Sequence, residues 1–379
     1  MKIVIVGGYG AFGRRLVTRL CKNPALEIVI AGRHISKAET LATEFNNPTL
    51  FPIRKAKITA AEIDAEHSAP NAFRQLGADV VVNASGPFQA QDYTLAKVAI
   101  RDGCHIIDLA DAREFVTGIG ALDQEATAKG VCVLSGASTV PALSAAVVQH
   151  YRSQFAHLKT IKVAISPGNH FHPGIATTAS ILGYVGHPIK TRRHGRTVNE
   201  FGWQGLARED MPGLGKRWMG YVDVPDLDLF PQANPDLETV EVKAGLEVGL
   251  FHIGLWTLSW LVRAGLVTSL AGLASPLLKV KQALSWLGSD AGGMTVVLRG
   301  LDHDGNPHGV NWTLAAYSGD GPNIPTLAAQ IFIEQLAGGK RFDAGARPCM
   351  GVFSLKAFEH AVRDLDIQFS ATSSTEAST

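Results

Sequence analysis

The feature that most restricts this chain is a glycine loop placed directly after its first apolar run. Ile3 to Val6 leads into Gly7-Gly8-Tyr9-Gly10-Ala11-Phe12-Gly13, which sets Gly8, Gly10 and Gly13 at Gly-x-Gly-x-x-Gly spacing between a strand and a helix. In that setting the first glycine permits a tight turn, the second lets the backbone approach a pyrophosphate, and the third lets helix and strand pack closely. The phosphates then face the first amides of the helix and the positive end of its dipole. The plain alternative is a glycine-rich turn that binds nothing. The strand-helix repeats that follow favour a dinucleotide held by Gly8, Tyr9, Gly10, Ala11, Phe12 and Gly13.

Those repeats place strands near Lys2 to Val6, Glu27 to Ala31, Leu50 to Ile53, Asp79 to Asn83, Cys104 to Asp108 and Val131 to Leu134. Six strands separated by helical patterns predict an α/β fold with a doubly wound parallel sheet of the Rossmann kind. Phe12, Leu16, Val17 and Leu20 recur at helical spacing on the first helix, and Ala38, Leu41, Ala42 and Phe45 on the second. Ser36 with Glu39 reads as a capping box at the second helix start. Gly103 and Gly130 stand where helices should stop.

After Ser135 the order changes, and Pro141 opens an apolar helix through Val147, Val148 and Tyr151. Strands follow at Thr160 to Ser166, Leu237 to Lys243, Met294 to Leu301 and Gly309 to Tyr317, the last two joined as a hairpin. Its turn contains Asp302-x-Asp304-Gly305, a fragment of a calcium loop without the remaining ligand positions, and is read as a plain turn. Pro325 starts a helix with Leu327, Ala328, Ile331 and Leu336 inward and Gly338 at its end. The expected domains are 1–138, the nucleotide-binding Rossmann domain, and 139–369, an α+β mixed-sheet domain for substrate and dimerisation. The C-terminal part of the second is free to pack back on the first, and 370–379 is expected to be a disordered tail.

Composition narrows the classes of function. With 35 basic and 34 acidic residues the formal charge is +1, which argues against a nucleic-acid partner. Four scattered cysteines, Cys21, Cys104, Cys132 and Cys349, fit reduced thiols in a cytoplasmic protein. Between Val248 and Leu278 the only charged residue is Arg263. Each half is shorter than the roughly 20 residues that cross a bilayer. The stretch therefore reads as a buried or dimer-interface helix pair, with peripheral membrane contact as the alternative.

The second strand ends in Gly32-Arg33-His34, where an NAD protein usually carries a carboxylate for the ribose 2′-hydroxyl. A guanidinium pairs instead with a 2′-phosphate, so Arg33, with His34 beside it, points to NADP(H). The alternative is a solvated arginine at a strand end. The loop Asn83-Ala84-Ser85-Gly86-Pro87-Phe88 leaves the fourth strand on the cofactor side of such a sheet. Ala84, Ser85, Gly86 and Pro87 are small enough to leave room for the nicotinamide half.

Taken together, Gly8 to Arg14, Ala31-Gly32-Arg33, Asn83 to Phe88 and Gly103 to Leu109 resemble the saccharopine dehydrogenase-like family of NAD(P)-dependent oxidoreductases. The likeness continues loosely through Gly174 to Ser180 and Gly319 to Pro322. It implies a Rossmann domain followed by a substrate and dimerisation domain, hence a homodimer acting on a small molecule. Family members include reductases of imines and trans-acting enoyl reductases of lipid-like substrates, so the substrate does not transfer. One departure is Pro141-Ala142, where relatives often carry Pro-Gly.

Hydride chemistry belongs to the cofactor, and the protein must place the acceptor and provide a proton or a positive field. Asp111 and His172 are the candidate catalytic groups, Asp111 to orient a donor and His172, whose free pKa lies near neutrality, to supply the proton, and Arg113 is the candidate clamp for a substrate carboxylate. Helix capping and surface ion pairs are the alternatives for Asp111 and Arg113, and a loop hydrogen bond for His172. His170-x-His172 lacks a matching cluster for a metal. Tyr93 and Lys97 mimic the Tyr-x-x-x-Lys pair of short-chain dehydrogenases but follow the wrong strand. Lys190, Arg192, Arg193 and Arg196 form a basic run suited to an anionic substrate or to a solvated loop. A non-catalytic NADPH-binding sensor or scaffold is the reading from another class.

Overall fold

Alternating apolar strands and amphipathic helices build the first unit of the computed structural model, which describes residues 1–89 and 91–374. In chain order these are β1 (Lys2–Val6), α1 (Ala11–Leu20), β2 (Glu27–Gly32), α2 (Ile35–Asn46), β3 (Lys57–Glu62) and α3 (Ala72–Leu76). They continue with β4 (Val80–Asn83), α4 (Thr94–Arg101), β5 (His105–Asp108), α5 (Arg113–Gly118), α6 (Asp123–Lys129) and β6 (Cys132–Ser135). Ile3, Val4, Ile5, Val80, Val81 and Val82 are wholly buried, as expected of central parallel strands covered on both faces. On α1 the residues Leu16, Val17 and Leu20 face inward, and on α2 Ala38, Leu41, Ala42 and Phe45.

The second unit contains α7 (Ser144–Tyr151), β7 (His157–Ser166), α8 (Ile175–Tyr184), β8 (Pro188–Arg193), β9 (Arg196–Phe201), β10 (Ala207–Met211) and β11 (Gly215–Tyr221). It goes on through α9 (Asp226–Ala233), β12 (Thr239–Ala244), α10 (Gly249–Arg263), α11 (Ala274–Ala283), β13 (Gly292–Leu301) and β14 (Pro307–Ala316). The chain then contributes α12 (Leu327–Ala337) and β15 (Gly345–Pro348) to the first unit, and α13 (Leu355–Ala361) and β16 (Ile367–Ser374) to the second.

The first sheet has the order β15-β6-β5-β4-β1-β2-β3, all parallel. Strand order reverses between β1 and β4, which is where a doubly wound sheet opens a crevice. The second sheet runs β10-β11-β12-β7-β13-β14-β16, with β8 and β9 as a side hairpin on β12. It is mixed: β7 pairs parallel with β12 and antiparallel with β13. The predicted hairpin of β13 and β14 is present, and Asp302 Oδ1 closes its turn by accepting from the amides of Asp304 and Asn306.

Several expectations are corrected. Leu50 to Ile53 is no strand: Pro52 interrupts it, Leu50 and Ile53 are exposed, and Phe51 packs on Phe45 with centroids 4.3 Å apart. The third strand is β3, an edge strand whose alternation of polar and small residues hides it. Helix α2 starts at Ile35 with His34 at the cap position, so Ser36 lies inside the first turn and makes no capping box. Residues 323–350, assigned from sequence to the second domain, belong to the first unit. Of the expected tail 370–379, residues 370–374 pair with β14 as part of β16, and 375–379 lie outside the described residues.

Within the second unit, Asp226 is fully buried at the start of α9. It accepts from Ser144 Oγ through one oxygen, while Oδ2 has no hydrogen-bond partner. Burial pushes this carboxyl up to about 7 against the smaller opposing pull of Ser144. A folded-state value above the unfolded one means the proton is held more tightly in the fold, so stability is lost as pH rises from about 4 through about 7. Asp226→Asn should flatten that fall by on the order of 2 kcal/mol between pH 5 and pH 8 in urea unfolding. An unchanged pH slope would refute the assignment.

Candidate functional site

The glycine loop takes its shape from close contacts that only glycine allows. Gly7 has φ +79°, and a Cβ there would lie 2.6 Å from the Ala84 carbonyl oxygen, so the loops after β1 and β4 touch at this point. A Cβ on Gly13 would come 2.2 Å from the Gly7 oxygen, which presses α1 directly on the loop. Gly10 is different, since its Cβ would meet only the Gly7 oxygen at 3.1 Å. The amides of Gly7, Gly8 and Gly10 are spent on the carbonyls of Ala31, Ile5 and Gly7. The first helical bond of α1 runs from the Arg14 amide to Gly10, so the amides of Ala11 and Gly13 stand ahead of the ladder. Among the described residues no side chain caps this helix and no acid stands in its first turn. The positive helix end is thus presented to an anion.

The loop after β4 is braced internally. Asn83 Oδ1 accepts from both the amide and the hydroxyl of Ser85, and Gln91 donates to the Ser85 carbonyl at 2.8 Å. The Gly86–Pro87 peptide is cis. Phe88 stacks against Phe115 of α5, with centroids 5.3 Å apart, and the Gln89 side chain bonds Asp111. Two segments singled out separately in the sequence, 83–88 and 108–113, therefore meet at one end of the sheet. Buried Asp108 anchors them by accepting from the amides of Ala110 (3.0 Å) and Gly136 (2.8 Å), and burial pushes its carboxyl up to about 6.

This arrangement coincides with a recognised domain. Residues 3–134 match the family described as the saccharopine dehydrogenase NADP binding domain. Residues 3–134 are thus similar to a saccharopine dehydrogenase NADP binding domain. Its cofactor is NADP(H), and the chain is of the dehydrogenase and reductase type. Across both units the fold is similar to apo saccharopine dehydrogenase (L-Glu forming) from Saccharomyces cerevisiae. The TM-score is 0.66 at 13% identity, over 98% of this chain and 99% of that one. Weaker likenesses are a probable dehydrogenase from Thermotoga maritima (TM-score 0.46, 7% identity, 96% and 93% covered) and biliverdin reductase from Synechocystis (0.42, 12%, 95% and 95%). At these identities the likeness is one of fold alone. No curated protein matches the sequence.

At the end of β2 the first unit places Lys37 and Glu44, which the sequence did not single out, beside residues that it did. The Tyr9 ring packs on Gly32, where a Cβ would lie 2.5 Å from it, and its hydroxyl accepts from the His34 amide at 3.2 Å. Beside it opens a cleft of about 330 Å³ lined by Tyr9, Arg14, Ser36, Lys37 and Glu44. Arg14 pairs with Glu44 across the cleft, while Ser36 and Lys37 sit in the first turn of α2, next to exposed Arg33 and His34. The signal for Ser36 was present in the sequence but was absorbed by the capping-box reading.

The remaining candidates divide between units. Asp111 and Arg113 are half-buried at the start of α5 in the first unit. Burial holds the Asp111 carboxyl above its usual range, against weaker pulls from its own amide and Gln89. His172 is exposed in the loop before α8 of the second unit, and burial of the ring, Lys281 and His170 lower it. Tyr93 donates to the Phe115 carbonyl at 2.7 Å, and burial raises its phenol, the opposite of what a Tyr-x-x-x-Lys pair needs. Lys190, Arg192, Arg193 and Arg196 lie on the hairpin of β8 and β9, where Arg193 pairs with Glu200 at 3.0 Å.

The glycine contacts separate two kinds of damage. Gly13→Ala should lower stability by roughly 1–3 kcal/mol, because helix and loop must move apart. Gly10→Ala should leave the melting temperature near its native value and weaken NADPH binding about tenfold, the loss of one phosphate hydrogen bond. Fluorescence titration and thermal melts of both variants check this. Equal behaviour of the two would overturn the distinction.

Proposed function

We propose that the protein is an NADP-dependent oxidoreductase that moves hydride between NADPH and an imine, enone or carbonyl of a small molecule handled by the second unit. The observation that carries the reading is the uncapped start of α1, free of first-turn acids among the described residues and set where the β1 and β4 loops meet. When bound, the nicotinamide supplies the hydride. The α1 amides hold the diphosphate, and Arg33 with His34 receives the 2′-phosphate at the end of β2. Ala84, Ser85, Gly86 and Pro87 keep the space beside the ring clear.

Proton handling falls to Asp111. Its raised carboxyl retains a proton nearer neutrality than an ordinary aspartate, and Gln89 fixes its orientation. His172, lowered from its ordinary value, is largely neutral at pH 7 and acts as an acceptor rather than a donor. Arg113 holds a carboxylate of the substrate.

Titration with NADPH and NADH, followed by nicotinamide fluorescence, should show NADPH preferred by roughly 10- to 100-fold, the worth of a charged hydrogen-bonded pair. Arg33→Asp should abolish or reverse that preference, whereas equal native affinities would remove Arg33 from its role. Binding without NADPH consumption across imine, enone and carbonyl panels would reduce the protein to a cofactor sensor or scaffold.

Asp111→Asn should lower kcat by roughly 10²- to 10⁴-fold with NADPH affinity unchanged. In the native protein kcat for reduction should fall as pH rises through the raised value, because the acid form is lost. A kcat that ignores the substitution would exclude Asp111 as the proton source.

A further inference from the structure

The stretch from Val248 to Leu278 is apolar, yet α10 buries only His252, Ser259 and Val262 of its own residues. Of its other apolar side chains, Leu250, Phe251, Leu255 and Leu258 line a cavity of about 710 Å³ bounded by α8, α10 and α11. That size falls within the roughly 300–1,000 Å³ typical of small-molecule sites. Leu182, Trp203 and Leu278 form buried wall, while Leu250 and Val280, 70% and 51% exposed, line the same cavity at the surface and mark its mouth. Among the described residues no helix is long and apolar enough to cross a membrane.

Three polar side chains line the cavity besides threonines: Asn169, Glu247 and Lys281. Glu247 is already satisfied. Its Oε2 accepts from the amides of Asn169 (2.7 Å) and Ser289 (2.9 Å), its Oε1 accepts from the Ser289 hydroxyl (2.6 Å), and buried Arg217 lies 3.4 Å away. Lys281 Nζ donates to the carbonyls of Asn169, at 2.8 Å, and Phe171. An ammonium has three donors, so two neutral acceptors leave one for an anion. With the charge of Glu247 answered by Arg217, Lys281 is the cation suited to a ligand's negative head.

We propose that this cavity binds a long-chain aliphatic carboxylate, its chain along the apolar walls and its head on Lys281. A cavity of this volume, walled by buried Leu182, Trp203 and Leu278, suits a slender chain better than the flat face of a second copy. The site lies wholly within the second unit, so the proposal goes beyond the cofactor reading and does not depend on turnover.

The test is calorimetric titration of the full chain, without nucleotide, by octanoate, decanoate, dodecanoate and tetradecanoate and by the matching alcohols. Affinity should rise about fourfold per added methylene until the cavity is full, and carboxylates should bind about tenfold tighter than alcohols. Lys281→Met should erase the carboxylate preference and keep the chain-length dependence. Gly254 lines the cavity, and a Cβ there would meet no atom within 4 Å. Gly254→Phe should therefore fill the space, keep the fold by thermal melt and weaken binding at least tenfold. Binding that ignores chain length or Gly254→Phe would overturn the proposal. So would adsorption to phosphatidylcholine vesicles that Gly254→Phe leaves intact, which would assign the patch to a membrane surface. A dimer broken by Leu250→Glu, in a chain that takes up no carboxylate, would assign it to a second copy.

Discussion

The contact between two glycine backbones sets everything else in the first unit. Helix α1 begins where it does because Gly13 lies against the Gly7 carbonyl, with no side chain on either to hold them apart. That contact fixes the axis of α1 over β1, and it aims the amides that precede the helical ladder at the crevice beside β4. Gly7 performs a second task on its other side by letting Ala84 approach. The loop after β4 is thereby held next to the helix start, and Phe88 and Gln89 pass the constraint on to α5 and Asp111. A chain of steric contacts, beginning with missing methyl groups, connects the start of α1 to the carboxyl proposed to hold a proton.

Much of this was legible in the sequence because the physics is local. Glycines at fixed spacing, an apolar run before them and a 3.6-residue repeat after them are properties of neighbouring residues. Five of the six expected strands of the first unit stand where the pattern puts them, as do the β13–β14 hairpin and the buried faces of α1 and α2. What was illegible depends on distant partners. Strand β15 is four residues long and finds β6 across some two hundred residues, so no local pattern announces it. Strand β16 carries serines and threonines that read as a tail until β14 supplies their hydrogen bonds. At Leu50 to Ile53 the apolar run suggests a strand, but Pro52 and the Phe45–Phe51 contact make it a packed turn.

The polar cluster of the second unit shows the same limit at the level of charge. Glu247 gathers donors from positions 169, 217 and 289, and Lys281 reaches back to 169 and 171. In the sequence Glu247 was only the boundary of an apolar stretch, and Lys281 lay beyond its far end. Folding the stretch into α10 and α11 brings the two ends together. A half-buried carboxylate is tolerated there because a guanidinium and three hydrogen bonds compensate its desolvation. Leu250, Phe251, Leu255, Leu258, Leu277 and Leu278 between them line a space that the protein does not fill itself.

Environment also reverses the expected division of labour between the two candidate proton carriers. From residue type alone histidine is the donor at neutral pH and aspartate the spectator, since their ordinary values lie near 6.5 and 3.9. Burial acts on the charged form of each, and the charged forms are opposite. It therefore raises Asp111 and lowers His172, and Lys281 adds to the latter by repelling an imidazolium. Desolvation thus favours the neutral form of each group, a bias set by surroundings that a list of residue types does not contain.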